Sequence, residues 1–257
     1  MNIPFHKYHG TGNDFILIDN REQLVQPEQT ERFAAWMHRR FGVGADGLIL
    51  LNQKAGYDFE MDYYNSDGKR SSMCGNGGRC ITQFALDLGI IESSTRFLAI
   101  DGTHVAEVVP EGISLEMIEP YGFSKRSETD YWLHTGSPHY VTFQETPVSE
   151  LIIIEAARKI RYSPEFSEAG TNVNFVNVVN ESTLQIRTYE RGVEDETYSC
   201  GTGVVAAAEI YRKTLSEAPE RIQLLTQGGT LWVESPPGTP PRLIGPATFV
   251  FQGSIEM

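Results

Sequence analysis

Cys74-Gly75-Asn76-Gly77-Gly78 in the first half of the chain and Cys200-Gly201-Thr202-Gly203-Val204 in the second are near-copies of each other. Each runs from a cysteine through a glycine-spaced turn into an apolar stretch that reads as a helix. A thiol at a helix N-terminus sits in positive potential, which favours its anion. The N–H groups of a first turn made of small residues can also grip an anion. One such turn is an anion hole with a reactive thiol. Two that face each other would make a symmetric acid and base around one bound anion. Symmetric proton transfer at a carbon beside a carboxylate is what a racemase or epimerase needs.

Outward from the cysteines, strand-like runs dominate. Phe15–Asp19, Gly47–Leu51 and Asp58–Tyr64 come first, the last alternating with Phe59, Met61 and Tyr63 on one face. Val105–Val109 and Ile113–Ile118 flank a Pro-Glu-Gly turn and read as a hairpin, as do Asn174–Val179 with Thr183–Tyr189 and Leu224–Thr226 with Thr230–Val233. An amphipathic helix after Pro27 is predicted from Phe33, Trp36, Met37 and Arg40, and a second from an N-cap at Ser149 to about Arg161. Ile81, Phe84, Ala85 and Leu88 form a helical stripe behind Cys74, whereas Val204–Ala208 is apolar on every side and predicts burial all round. Both halves share the order strands, Cys-Gly-x-Gly, helix, hairpin. The reading is an α/β protein of the α+β type, with two pseudo-symmetric halves. Each is a mostly antiparallel curved sheet around a central helix, with the active site in the cleft between them. The halves are expected at 1–118 plus 246–257, carrying Cys74, and at 119–245, carrying Cys200. Pro236–Pro241 reads as a surface turn and Ala247–Phe251 as a strand returning to the first half.

Composition narrows the function. A net charge of −13 on 257 residues argues against nucleic acid or an acidic membrane surface as a partner. No run approaches the length of a membrane span, and Met1–Lys7 lacks the layout of a signal peptide. An odd count of three cysteines, with no dense framework, fits a cytoplasmic protein with reduced thiols. Cys80 has no glycine turn before it and reads as core. A zinc site is a poor reading, because ligands at the usual spacing are lacking. Asn13 in a Gly-rich turn, Asn65 and Glu190-Arg191 at strand ends ahead of each cysteine, and His139 after Pro138 are each ordinary taken singly.

Together these residues resemble a family. Gly10-Thr11-Gly12-Asn13-Asp14-Phe15, Gly44-Ala45-Asp46-Gly47, Asn65-Ser66-Asp67-Gly68, Met73-Cys74-Gly75-Asn76-Gly77-Gly78-Arg79-Cys80, Glu190-Arg191-Gly192 and Ser199-Cys200-Gly201-Thr202-Gly203 look like diaminopimelate epimerase, in order and over essentially the whole chain. Either cysteine motif alone also resembles the wider group that includes proline racemases. The resemblance implies an epimerase with no cofactor and no metal, a homodimer in the cytoplasm, interconverting LL- and meso-diaminopimelate on the way to lysine. By the resemblance Cys74 and Cys200 are the catalytic pair, and His139 and Glu190 adjust them. Gly75, Asn76, Gly201 and Thr202 hold the α-carboxylate. Asn13, Asn65, Asn172, Glu190 and Arg191 hold the rest of the substrate. The chain departs from the family pattern at Ser137, where Asn is common, at Gly47, where Gln often follows the Asp, and in the acidic loop Val193–Glu196. Other readings are a racemase for proline, hydroxyproline or histidine, and a thiol redox or binding protein without turnover.

Overall fold

Each half alternates β-rich runs with one long apolar helix, and a helix that is apolar on most sides needs a sheet that bends around it. The computed structural model describes residues 2–27, 29–71 and 73–256, so that residues 1, 28, 72 and 257 lie outside the account that follows. Two compact units result, Met1–Leu115 with Gly245–Met257, and Glu116–Ile244.

The first unit contains strands β1 (Asn2–Gly10), β2 (Asn13–Asp19), β3 (Gly47–Asn52), β4 (Glu60–Asn65), β5 (Ser94–Ala99), β6 (Gly102–Val109) and β7 (Gly112–Glu116). Helix α1 (Thr30–Met37) follows β2, and α2 (Gly75–Asp87) follows β4. The final strand, Thr248–Glu256, pairs antiparallel with β1. From that strand the ladder runs through β1 to β7 in sequence order, antiparallel at each step except β2–β3 and β4–β5.

The second unit contains β8 (Tyr121–Lys125), β9 (Asp130–His134), β10 (Pro138–Phe143), β11 (Asn172–Asn180), β12 (Thr183–Glu190), β13 (Asp195–Thr197), β14 (Arg221–Thr226), β15 (Gly229–Glu234) and β16 (Arg242–Gly245), which makes the final strand β17. Helix α3 (Ile153–Arg161) follows β10, and α4 (Gly201–Thr214) follows β13. Its ladder runs β8, β9, β10, β11, β12, β14, β15, β16, and it is antiparallel except at β10–β11 and β12–β14. The sequence of parallel and antiparallel steps is the same in both units. The internal repeat is therefore one of topology, with α2 and α4 in equivalent places.

Each central helix touches strands from both ends of its own ladder: α2 packs on β1, β2, β3 and β6, and α4 on β9 through β12, β14 and β15. Each sheet thus curls around its helix. Val204, Val205, Ala206, Ala207 and Ala208 are at most 1% exposed, as their all-round apolarity requires. Cys80 is fully buried, and burial pushes its thiol up, which leaves it a neutral core residue.

Several elements differ from the sequence reading. Helix α1 stops at Met37 instead of reaching Arg40, because the chain turns back and Val43 and Gly44 donate to the Trp36 carbonyl. Ser149 does not cap α3. It lies in a 3-10 turn, Val148–Glu150, and α3 starts at Ile153. Arg187 takes the carbonyls of Val148 and Leu151, and Asn177 takes the Val148 N–H, so the backbone there is committed outside the helix. Strand β7 ends at Glu116, and Ile118 beyond it is exposed. On β4 both faces are covered: Met61 and Tyr64 are buried, Tyr64 against Phe33, while Tyr63 is half-buried against Phe15.

Gly47 marks a close approach. A Cβ at this position would overlap the Tyr63 ring and crowd Phe15 and the Tyr64 carbonyl. We expect Gly47→Ala to destabilise the protein by about 1–3 kcal/mol through overpacking, read by urea denaturation. Unchanged stability would mean that Tyr63 moves aside at little cost.

Candidate active site

The two central helices begin on Cys74 and Cys200, each with extended backbone at the N-cap position and neither helix capped by a side chain. The intrahelical ladders start with Gly78 N–H donating to the Cys74 carbonyl (2.7 Å) and Val204 N–H to the Cys200 carbonyl (2.9 Å). The N–H groups of Gly75, Asn76, Gly201 and Thr202 therefore lie ahead of the ladders, where a helix offers its donors to an acceptor from outside.

Around Cys74 the first unit builds an amide platform. Cys74 Sγ donates to Asn13 Oδ1 (3.6 Å), and Asn76 Nδ2 donates to the same oxygen (3.2 Å). Asn13 is aimed by its own Nδ2, which donates to Asp46 Oδ2 (2.8 Å). Asp46 belongs to an ion cluster in which Arg39 pairs with both Asp46 and Asp14 (2.5 and 2.7 Å), and Lys7 pairs with Asp14 (2.7 Å). Burial would raise Asp14, but hydrogen bonds and charge from Arg39 and Lys7 outweigh it and hold the carboxyl at about 2. Asn65 sits at the exposed end of β4, opposite Gly47.

Cys200 lies in a neutral hydroxyl and imidazole network. Its Sγ is 3.5 Å from Thr202 Oγ1, which is 2.9 Å from His139 Nε2 and 3.0 Å from Ser137 Oγ. On the other side of the ring, Asn174 Nδ2 donates to His139 Nδ1 (3.1 Å). Asn174 is oriented independently, since its Nδ2 also donates to the Tyr140 carbonyl and its Oδ1 accepts from Thr188 Oγ1. That orientation assigns the proton of neutral His139 to Nε2, so the imidazole donates towards the hydroxyls and the Thr202 proton is available to sulfur. His139 thus touches Cys200 through Thr202. Gly203 lets the helix settle onto this network, because a Cβ there would strike Asn174 Oδ1.

Asn172 is more committed than the sequence suggested. Its Nδ2 donates to Ser137 Oγ and the Pro138 carbonyl, and its Oδ1 accepts the Arg191 N–H. Ser137 Oγ thus joins the Asn172 contacts to those of His139 and Thr202. Glu190 Oε1 accepts from Thr197 Oγ1 (2.5 Å). Arg191 donates to the Ala169 carbonyl (2.7 Å) and lines a cleft of about 430 Å³ within the second unit, alongside Trp132, His134 and Phe166 and the Arg126–Glu165 ion pair. Sequence reasoning did not single out Asp46, Thr135, whose hydroxyl donates to the Thr202 carbonyl, or Asn174. For Asn174 a signal existed: it follows Asn172 at the two-residue spacing of one strand face. Among the described residues no three His, Cys, Asp or Glu side chains gather where they could hold a metal ion, and no helix is long and apolar enough to cross a membrane.

Burial, followed by the proximity of His134 and Arg191, pushes His139 down to about 3. The native state therefore keeps it neutral where the unfolded chain takes up a proton. Stability from this residue is complete above about pH 6.5 and falls as pH drops towards about 3, by up to roughly 1 kcal/mol per pH unit. Urea unfolding between pH 7 and 4.5 should show a steeper acid-side loss in the wild type than in His139→Gln. Equal slopes would show that His139 titrates normally.

The diaminopimelate epimerase family pattern matches residues 5–121 and 131–250. A Flavobacterium psychrophilum diaminopimelate epimerase is 46% identical over 98% of this chain and 100% of its own length. One from Archaeoglobus fulgidus is 38% identical over 100% of this chain and 98% of its own length. Among solved structures, a Bacillus anthracis phenazine biosynthesis protein of the PhzF family shares the fold, with a TM-score of 0.74 at 13% identity and full coverage of both chains. So does an Agrobacterium vitis hydroxyproline epimerase with bound trans-4-hydroxy-L-proline, with a TM-score of 0.70 at 14% identity over 99% of this chain and 92% of that one. The sequence matches span both cysteine motifs and both units, and the chain belongs to the diaminopimelate epimerase family.

Proposed function

We propose that this protein interconverts LL- and meso-diaminopimelate by two-base proton transfer at the α-carbon, without pyridoxal phosphate or a metal. The observation that carries the reading is the duplicated site: one thiol at the N-cap of a buried central helix in each of two units of equal topology. The relatives' names supply the substrate class.

In this mechanism the thiolate of one cysteine takes the α-proton, breaking Cα–H and forming S–H. The electron pair left on carbon spreads into the α-carboxylate. N–H groups of Gly75, Asn76, Gly201 and Thr202 hold that carboxylate and stabilise the added charge, the role an oxyanion hole plays. The thiol of the other cysteine then protonates the opposite face and is left as thiolate, so the two exchange roles for the reverse direction. Thiols suit this work because their ionisation lies near neutrality and is lowered at a helix start. Asn13 steadies Cys74, and Thr202, backed by His139, steadies Cys200. The distal carboxylate fits Arg191, which can bind it through paired N–H groups. Asn65, Asn172 and Glu190 complete that end of the substrate.

The same reading brings a homodimer in the cytoplasm. Phe249, Val250 and Phe251, roughly half exposed on β17, support it as an apolar strip. A mass from light scattering that corresponds to one chain would remove the dimer.

The direct test is proton NMR of the reduced protein with LL-diaminopimelate in D2O. The α-proton signal should fade as the meso isomer appears, and silence would reject the assigned substrate. Cys74→Ala and Cys200→Ala should each abolish epimerisation, since each face loses its acid or base; near-normal turnover in either would end the two-base scheme. Arg191→Ala should lower kcat/KM for diaminopimelate roughly 10- to 100-fold, the worth of a charge-assisted contact. Unchanged kinetics would place the distal carboxylate elsewhere.

A further inference from the structure

Arg79 is fully buried inside the first unit, and no acidic side chain among the described residues pairs with it. Its guanidinium reaches back along α2 towards the helix start. Nη1 donates to the Gly75 carbonyl (3.3 Å), and Nη2 donates to Asn76 Oδ1 (3.0 Å) and Thr11 Oγ1 (3.4 Å). Nε is buried with no hydrogen-bond partner. Thr11 is itself held at a φ of 49°, a left-handed conformation that a β-branched residue adopts only under constraint.

Two costs fall on this residue. A buried cation without an anion loses its hydration, and a cation at the N-terminal end of a helix opposes the helix dipole. Both costs vanish if an anion occupies the helix start. The surrounding charges do not supply one. Lys7, Arg39, Asp14 and Asp46 neutralise one another, Asp87 accepts the Tyr8 hydroxyl, His104 pairs with Asp101, and Cys80 is kept protonated by burial. The group at the head of the helix is Cys74, joined to Arg79 through Asn76 and their shared acceptor Asn13.

We propose that Arg79 is the buried counter-charge that favours the thiolate form of Cys74, a positioning residue for the proton transfer that acts through Asn76 and through the field at the helix start. The proposal rests on Cys74 being a reactive thiolate, as the proposed function requires, and its test needs no substrate. Burial pulls the guanidinium down to about 10, which still leaves it charged at neutral pH.

The test is iodoacetamide alkylation of the reduced full-length protein across pH 5.5–10, with peptide mass spectrometry reading Cys74, Cys200 and Cys80 separately. Arg79→Met keeps the length of the side chain and removes the charge; Arg79→Lys keeps the charge. The Met variant should alkylate Cys74 about tenfold more slowly at pH 7, with the midpoint of its profile moved up by about one pH unit. The Cys200 profile should not change, and the Lys variant should stay near wild type. A Met variant that folds and keeps the wild-type Cys74 profile would overturn the proposal. If the Met variant does not fold, the Lys variant decides: a preserved profile supports the counter-charge, and an upward shift overturns it. Because alkylation is read without diaminopimelate, a failed substrate assignment and a failed role for Arg79 give different results.

Discussion

When a helix begins inside a protein, its first N–H groups have no partner in the helix and its positive end is poorly screened. The central helices α2 and α4 both begin this way. Serine or aspartate at the N-cap would satisfy the helix from within. Cysteine does so poorly, and it leaves the donors turned towards an acceptor that comes from outside. Much else in each unit follows from keeping that start buried and open. The sheet curls round the helix, Gly203 removes the side chain that would hold α4 off Asn174, and the neighbouring strands deliver Asn13 or His139 to the same end.

Equivalent topology does not mean equivalent chemistry. In the first unit the support behind the thiol is ionic at its outer edge, with Lys7, Asp14, Arg39 and Asp46 locking Asn13. In the second it is a chain of hydroxyls and amides around a neutral imidazole. A repeat of architecture has diverged to two ways of fixing a sulfur atom. Position for position, Gly47 at the start of β3 corresponds to Asn172 at the start of β11, and Asn65 at the end of β4 to Glu190 at the end of β12. The ring of Tyr63 covers Gly47, where the second unit has an amide.

The parts of the fold written locally were legible in the sequence. The cysteine turns show in glycine spacing, the paired strands in their hairpin turns, and the burial of α4 in its all-round apolarity. The strands β8, β9 and β10 escaped, as did β1, β5, β13 and β16. Most of β8 is exposed, so it carries no alternation, and β10 opens on a proline. Helix ends set by distant partners were misread for the same reason: nothing near Ser149 announces that Arg187 will claim the carbonyls on either side of it. At the site, residue types were readable and engagements were not. The resemblance gave His139 the task of adjusting the thiols without saying how, and made Asn172 a ligand for substrate. The structure shows Thr202 between His139 and Cys200, and Asn172 held by Ser137, Pro138 and Arg191.

The strand order carries a consequence for synthesis. The second unit takes all its strands from one continuous stretch, Glu116–Ile244, and can close as soon as that stretch has left the ribosome. The first unit is made earlier but finishes later. Its strand β1, whose Ile3 and Phe5 belong to a core, pairs with β2 on one side and on the other has to wait for β17, which is translated after the whole of the second unit. Until then it presents an unpaired, partly apolar edge of the kind that recruits strands from other chains. The unit that is born first is thus the one exposed longest to misassembly.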